Sequence, residues 1–277
     1  MRKKIATILP AKPEDLFALS VSKSKTFDQC KAKYKFNYIE KLPRKDWDFH
    51  IFGKFLHEVL ENFHEGLIKT PERAEKWRAY LESCWKKGQT DWAEQMTAQQ
   101  FIDAREILNE YIRILEEEGL PNVTAVEKVF YINIDGKVVL NGFIDRVQLD
   151  PDGMMHVIDY KTTKNPKYLK DFFQLHTYAY ALMLENPKLK RVRASFSLLR
   201  HGFDMMTEEY TRKDMAEIED TFLKYTAEID EERLWRANPQ FLCKFCDFVD
   251  HCDAGKRFLV KRGYIEKAPP TFGLASW

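Results

Sequence analysis

An α/β fold is predicted by two features of the chain. Three strand-like runs, Val123–Ile134, Lys137–Asp150 and Met154–Thr162, follow one another across tight-turn signals at Asp135-Gly136 and Pro151-Asp152-Gly153. A helix-length segment, a further strand and another helix then succeed each other up to about residue 232. With 277 residues, 44% apolar and 31% charged, the chain is long enough to bury a sizeable core and has an ordinary globular composition. No apolar run reaches the ~20 residues that span a membrane. The opening MRKKIATILPAKPEDL has a basic head but too short an apolar stretch for a secretion signal. A cytoplasmic protein is expected, bacterial or, if phage-encoded, in the host cytoplasm, with no membrane partner.

The elements follow in order. Ser22 or Ser24 is placed to cap a helix through TFDQCKAKYKFNYIEKL to about Pro43. A second helix, about Phe49–Gly66, carries Phe52, Leu56, Val59 and Phe63 on one stripe. Thr70-Pro71 opens another helix, and an amphipathic helix occupies about Ala98–Glu118, before Gly119 and Pro121. Residues 67–119 thus read as a helical insert without evident chemistry. After the three strands, a helix spans about Tyr168–Glu185. Arg191–Leu199 is a fourth strand, Glu208–Tyr210 lies in a fifth, and Thr211 caps a helix to Glu232. The remainder is irregular and cysteine-rich. A single domain over 1–277 is expected, in four parts: 22–66, 67–119, 120–210 and 211–277.

The hairpin NGFIDRVQLDPDGMMHVIDYKTT, residues 141–163, poses an electrostatic problem. If Asp150 pairs with Met154 around the turn, Asp145 falls opposite Asp159. Side chains so opposed lie roughly 5 Å apart at Cβ, where like charges destabilise a sheet. Lys161 emerges on the same face, two residues on. Ile144, Val147, Val157 and Ile158 argue for burial, and an unpaired buried carboxylate is costly. A hard divalent cation between the carboxylates, Mg2+ or Mn2+, turns repulsion into ligation. Lys161 beside it suits phosphodiester hydrolysis.

These residues carry a resemblance. GFIDRV followed by IDYKT resembles the core of the PD-(D/E)xK nuclease superfamily in its RecB-like branch, and GKFLHEVLE and FFQLHTYAYAL resemble two further motifs of that branch. The likeness covers about residues 22–255. It implies a restriction-endonuclease-like core, with a mixed central sheet flanked by helices. It also implies metal ligation by His57, Asp145, Asp159 and the Tyr160 carbonyl, with Lys161 catalytic. Gln174 and Tyr178, four residues apart on one helix face, would address DNA and the active site together. Glu127 is a further acid that approaches from the preceding strand, and His64 is a rival histidine seven residues after His57.

Five cysteines, Cys30, Cys84, Cys243, Cys246 and Cys252, and no secretion signal argue against a disulfide framework. Cys243-x2-Cys246-x5-Cys252 needs a fourth ligand, which His251 would supply in a structural zinc site. The resemblance implies instead that Cys30 joins the C-terminal three around a 4Fe-4S cluster, as in AddB-type nucleases and CRISPR-associated adaptation nucleases. Cys84 is left outside either arrangement.

The net charge is +1, yet Ser22–Lys45 holds eight Lys or Arg against two acids, with Phe27, Tyr34, Phe36 and Tyr38 interleaved. Such a segment suits a strand-tracking surface for single-stranded DNA. Smaller basic runs occur at Lys161–Lys170 and Lys188–Arg193. The resemblance, with which this segment is consistent, implies one of two functions. One is a metal-dependent DNA exonuclease acting on single-stranded or frayed ends in recombination, repair or phage DNA metabolism, with any helicase or recombination motor supplied by a partner. The other is a catalytically inactive scaffold of the same fold that binds DNA.

Overall fold

Gly153 adopts a φ of 80°, open to glycine without steric cost, and the Asp150 N–H donates to the Met154 carbonyl at 2.9 Å. From that turn the pairing runs Leu149↔Met155 to Arg146↔Ile158, the register expected from the sequence. The structure, a computed structural model, describes residues 6–14, 16–45, 47–169 and 171–265. The basic head of the chain and Lys170, the end of one basic run, lie outside the described residues.

The described strands are β1 (Ala6–Ile8), β2 (Ala18–Leu19), β3 (Asn122–Ile134), β4 (Val138–Leu149), β5 (Met155–Lys161), β6 (Arg191–Leu198) and β7 (Asp204–Thr211). They form one mixed sheet in the order β1-β3-β4-β5-β6-β7, with β2 parallel to β4. The helices are α1 (Val21–Gln29), α2 (Lys31–Tyr34), α3 (Asp48–Lys69), α4 (Trp77–Asp91), α5 (Ala98–Glu118), α6 (Phe173–Glu185), α7 (Met215–Glu231) and α8 (Asp253–Lys261). β5 and β6 are parallel, and α6 makes the crossover such a pair requires. No helix among the described residues is long and apolar enough to cross a membrane.

Two compact units emerge. The first contains residues 1–21 and 46–227, the second residues 22–45 and 228–277. The expectation of one domain over 1–277 takes both together. In the first unit, Phe52, Leu56, Val59 and Phe63 of α3 are buried as their stripe predicts. With α4 and α5 they form a core that also takes in Ile158 and Tyr160 of β5. α6 packs on β5 and β6 and is buried from Leu175 to Met183. The second unit is built around Phe27 and Tyr34, both 2% exposed, with Trp235 stacked on Tyr34 at 5.9 Å.

Several elements depart from expectation. The first helix begins at Val21, ahead of either serine, and breaks at Cys30, whose backbone is extended (φ −167°, ψ 111°). Phe27 and Tyr34 are interior and Phe36 and Tyr38 half-buried, so the aromatic residues of 22–45 serve mainly the core of their unit rather than an open stacking surface. Thr70 caps nothing: Pro71–Lys76 is a 3-10 turn before α4. Pro166–Tyr168 is likewise a lone 3-10 turn, and α6 starts only at Phe173. Thr211 does cap, through Lys213 and Asp214. The cysteine-rich end contains α8, and β1 and β2, too short for a periodic signal, were not expected.

Candidate active site

β3 pairs with β4 as Val126↔Arg146 and Lys128↔Ile144, so Glu127 falls opposite Asp145. β4 and β5 separate just beyond Arg146↔Ile158, where Asp145 falls opposite Asp159. Three carboxylates therefore stand in one row across three strands. Neither opposed pair is part of the regular ladder. Glu127 has a φ of 41°, a left-handed conformation costing about 1–3 kcal/mol in a non-glycine residue. Where the strands part, the Tyr160 N–H donates to Asp145 Oδ2 at 2.7 Å. A side chain thus replaces a ladder carbonyl at the point where the carboxylates must converge.

His57 reaches this row from α3. Its Nδ1 lies 3.5 Å from Asp145 Oδ2 and its Nε2 3.1 Å from the Tyr160 carbonyl oxygen. Burial lowers its pKa, against the pull of Asp159, and so favours the neutral imidazole that ligates metals. Ligand atoms of His57, Glu127 and Asp145 all lie within 4.8 Å of one another. The compact trio thus contains Glu127, expected only as an additional acid, and not Asp159. Asp159 is engaged elsewhere: its Oδ1 accepts from Gln174 Nε2 at 2.8 Å, and Lys161 Nζ lies 2.5 Å from its Oδ2.

Gln174 joins the set. Its Oε1 accepts from Lys161 Nζ at 3.1 Å, and its Nε2 also donates to the Tyr178 hydroxyl at 2.8 Å. Tyr178 is buried and edge-on to Phe130 at 6.0 Å. Both residues lie on one helix face as expected, but Tyr178 points inward and steadies Gln174. His64 is removed from the site. It is 1% exposed, and its Nε2 meets the Tyr111 hydroxyl at 2.7 Å and Arg146 at 3.3 Å.

The electrostatics are those of a site short of positive charge. Asp145 is held well above the usual carboxylate range by burial and then by Asp159, against the Tyr160 N–H and Lys161. Glu127 is raised by burial, then by Glu61 and Asp159. A half-buried imidazole with carboxylates raised by burial and by one another is a donor set that fits a hard divalent cation. An open cleft of about 440 Å³ adjoins it, lined by Gly53, Lys54, His57, Glu58, Glu61, Trp92 and Glu127. Trp92 belongs to the insert expected to lack chemistry. A lone tryptophan after a helix gives no periodic signal of its position.

The second unit gathers the expected cysteines. Cys30, Cys243, Cys246 and Cys252 line one small cavity. Cys30 Sγ accepts from the N–H groups of Lys33 and Asn238 at 3.5 and 3.4 Å. Cys243 Sγ accepts from Gln240 at 3.4 Å, and Cys252 Sγ from Gly255 at 3.3 Å. Among the described residues no three of these sulfurs lie within 4.8 Å of one another. A tetrahedral zinc would hold them ~3.8 Å apart. His251 is exposed and does not line the cavity. Four cysteine sulfurs around one cavity are a donor set that fits an iron–sulfur cluster or a zinc ion. Cys84 is buried in α4 of the first unit and does not line this cavity.

A mixed sheet flanked by helices, with its carboxylates at a strand divergence, is of the restriction-endonuclease-like class. The chain belongs to the PD-(D/E)XK nuclease superfamily, whose family model matches residues 18–253. It is 27% identical over 184 residues to an ATP-dependent helicase/deoxyribonuclease subunit from Streptococcus agalactiae, a match covering 61% of this chain and 17% of the relative. The corresponding protein of Streptococcus pyogenes is 28% identical over 144 residues, covering 49% and 13%. The chain therefore corresponds to less than a fifth of the length of these curated relatives. Its fold is similar to a solved structure from Eubacterium rectale named as a candidate exonuclease, with a TM-score of 0.51 and 12% identity over 91% of this chain and 90% of that one.

Proposed function

We propose that the protein is a metal-dependent deoxyribonuclease that acts as an exonuclease on single-stranded or frayed DNA, with Mg2+ or Mn2+ held by His57, Glu127 and Asp145. Asp159 and the Tyr160 carbonyl would join them only by giving up present partners, Lys161 or Gln174 for the one and His57 for the other. The observation that carries this reading is the carboxylate row across β3, β4 and β5, with its acids raised by burial and mutual repulsion and His57 and Lys161 beside it. When bound, the metal supplies Lewis-acid neutralisation of phosphoryl charge and a more acidic water.

The chain's own groups do the rest. Lys161, held between Asp159 and Gln174, offers its ammonium to the charge that develops on the phosphate. Gln174 fixes Lys161 and Asp159 together and is fixed in turn by Tyr178. The backbone N–H of Tyr160 orients Asp145. A 4Fe-4S cluster on Cys30, Cys243, Cys246 and Cys252 ties the two separated segments of the second unit, a structural role. The likeness to helicase/deoxyribonuclease proteins supports DNA as substrate and a helicase or recombination protein as partner.

The test is cleavage of circular and of 5′- or 3′-labelled single-stranded DNA in Mn2+, by the wild type and by Asp145→Ala and Lys161→Ala. Shortening from one labelled end, absent in both variants and on circles, supports the proposal; activity surviving both substitutions overturns the site. For the cluster, the purified protein should be brown, with broad absorbance near ~400 nm that Cys30→Ser diminishes. Colourless protein containing zinc overturns it.

A further inference from the structure

The helical insert contributes a wall to the cleft beside the carboxylate row. Trp92 follows α4 at its C-terminal end, with its N–H bonded to the Gly88 carbonyl at 3.0 Å. It lines the same cleft as Lys54, His57 and Glu127. Two contacts fix the ring. Nε1–H donates to Glu58 Oε2 at 2.9 Å, and Phe55 lies edge-on, with centroids 6.5 Å apart and planes at 79°. With the indole's only polar group bonded to Glu58, what remains for the cleft is apolar ring surface.

The helix that holds Trp92 brings a different chemistry to the same cleft. α3 places Gly53, Lys54 and His57 within four residues, about one helical turn. Gly53 keeps the backbone bare: a Cβ there would meet only Thr162 Oγ1, at 3.2 Å. Lys54 is exposed at the cleft. The cleft thus offers a cation and a bare backbone to a phosphodiester, together with a fixed aromatic ring. A nucleotide needs both, and a base that meets the ring must be out of its duplex.

We propose that Trp92 stacks on an unpaired nucleobase next to the scissile phosphate while Lys54 takes a neighbouring phosphate, so that the helical insert selects single-stranded ends. This rests on the nuclease reading above and adds its specificity determinant. Duplex ends are poor ligands because their terminal base must first unstack.

The test separates the two readings because it measures binding without cleavage. Anisotropy of a labelled oligothymidylate is followed in Ca2+, with a single abasic nucleotide moved along the strand. In the wild type one position should weaken binding roughly 5- to 100-fold, the range for loss of one base–aromatic stack. Trp92→Ala should bind the intact strand as weakly as the wild type binds that abasic strand, with no position-dependent loss remaining. Trp92→Phe, which keeps a ring and the packing on Phe55, should restore most of the dependence, whereas Lys54→Ala should weaken all strands about equally. An unchanged abasic profile in Trp92→Ala overturns the proposal, even if Mn2+-dependent, Asp145-dependent cleavage is found. Loss of affinity in Trp92→Phe equal to that in Trp92→Ala also overturns it.

Discussion

The β4–β5 hairpin holds two clusters of carboxylates, one at each end, and they are treated in opposite ways. At the turn, Asp150 accepts from Gln148 at 2.7 Å and Arg193 at 2.6 Å, and His156 Nδ1 lies 3.0 Å away. Burial pushes the Asp150 pKa up, but these donors outweigh it and hold the carboxyl below its ordinary value. Arg193 also binds Asp152 and Glu209, so each acid there has a cation. At the other end Asp145 is raised instead, because burial and Asp159 exceed what Lys161 and one N–H return. The same hairpin therefore neutralises its acids where it needs only stability, and leaves them short of charge where a cation is to bind. The contacts alone do not reveal this. Asp150, His156 and Ser195 are bonded in the order of a hydrolytic triad, yet Ser195 is fully buried and its hydroxyl meets Thr207 at 2.7 Å, so no substrate reaches it.

The sharpest way to break the comparison is to remove one acid from each end. Asp145→Asn should reduce Mn2+-dependent cleavage by ~10³-fold or more, comparable to loss of a principal charge-stabilising group. The same change should raise the melting temperature of the metal-free protein, since it removes a repelled buried charge. Lys161→Ala should lose about 10²–10³-fold in kcat. A metal-free Asp145→Asn protein less stable than wild type would show that Asp145 is an ordinary buried partner and not a strained ligand.

The opposite pattern is expected at the turn. Asp150→Ala leaves Arg193 and His156 without their shared carboxylate and should cost about 3 kcal/mol, with cleavage per folded molecule unchanged. The pH dependence follows the same sign. A depressed folded pKa gives stability that is present above the unfolded value, ~3.9, and lost as pH falls through the folded value. Urea unfolding between pH 5 and 2 should therefore be steeper in pH for wild type than for Asp150→Ala; parallel curves would contradict it.

Much of this was legible in the residues. The turn Pro151-Asp152-Gly153 dictates the register, and the register alone puts Asp145 opposite Asp159. α5 was equally plain, because its amphipathic run stops before Gly119 and Pro121; the structure adds a capping box of Thr97 and Gln100 and a φ of 85° at Gly119. What the sequence hid depends on backbone irregularity and on distant packing. The left-handed Glu127 promotes an additional acid into the compact ligand trio, and no local pattern announces it. The insert looked inert because its contributions are single residues: Trp92 in the cleft, and Tyr111, whose hydroxyl accepts from the buried Arg146 at 3.2 Å. The aromatic residues of 22–45 misled for a related reason. Interleaving with lysine suggested a surface, but Phe27 and Tyr34 are buried in the core of a small unit, edge-on to each other.

A milder perturbation sharpens the contrast without mutation. Asp145, with its raised folded pKa, gives stability that is present below the unfolded value and lost as pH rises through the folded one. Metal-free protein should therefore lose this contribution as pH rises above the unfolded carboxylate value of ~3.9. Mn2+, which needs the ionised carboxylates, should restore it increasingly over the same window. A thermal shift by Mn2+ equal at pH 5 and pH 8, or one kept by Asp145→Asn, would place the cation elsewhere.

The smallest expected effect concerns how the lysine is held. Gln174 bridges Lys161, Asp159 and Tyr178, so Gln174→Leu should leave the ammonium paired to Asp159 alone, 2.5 Å away. A lysine closed onto a metal-site carboxylate competes with the cation, so apparent Mn2+ affinity should fall as well as kcat, each by roughly tenfold, the effect of about 1.4 kcal/mol. Tyr178→Phe removes only the hydroxyl that steadies Gln174 and should cost less, about 1 kcal/mol or below. Its effect should vanish when added to Gln174→Leu, because the hydroxyl acts only through the amide. Additive losses in the double variant would mean that Tyr178 works on the site by a route of its own.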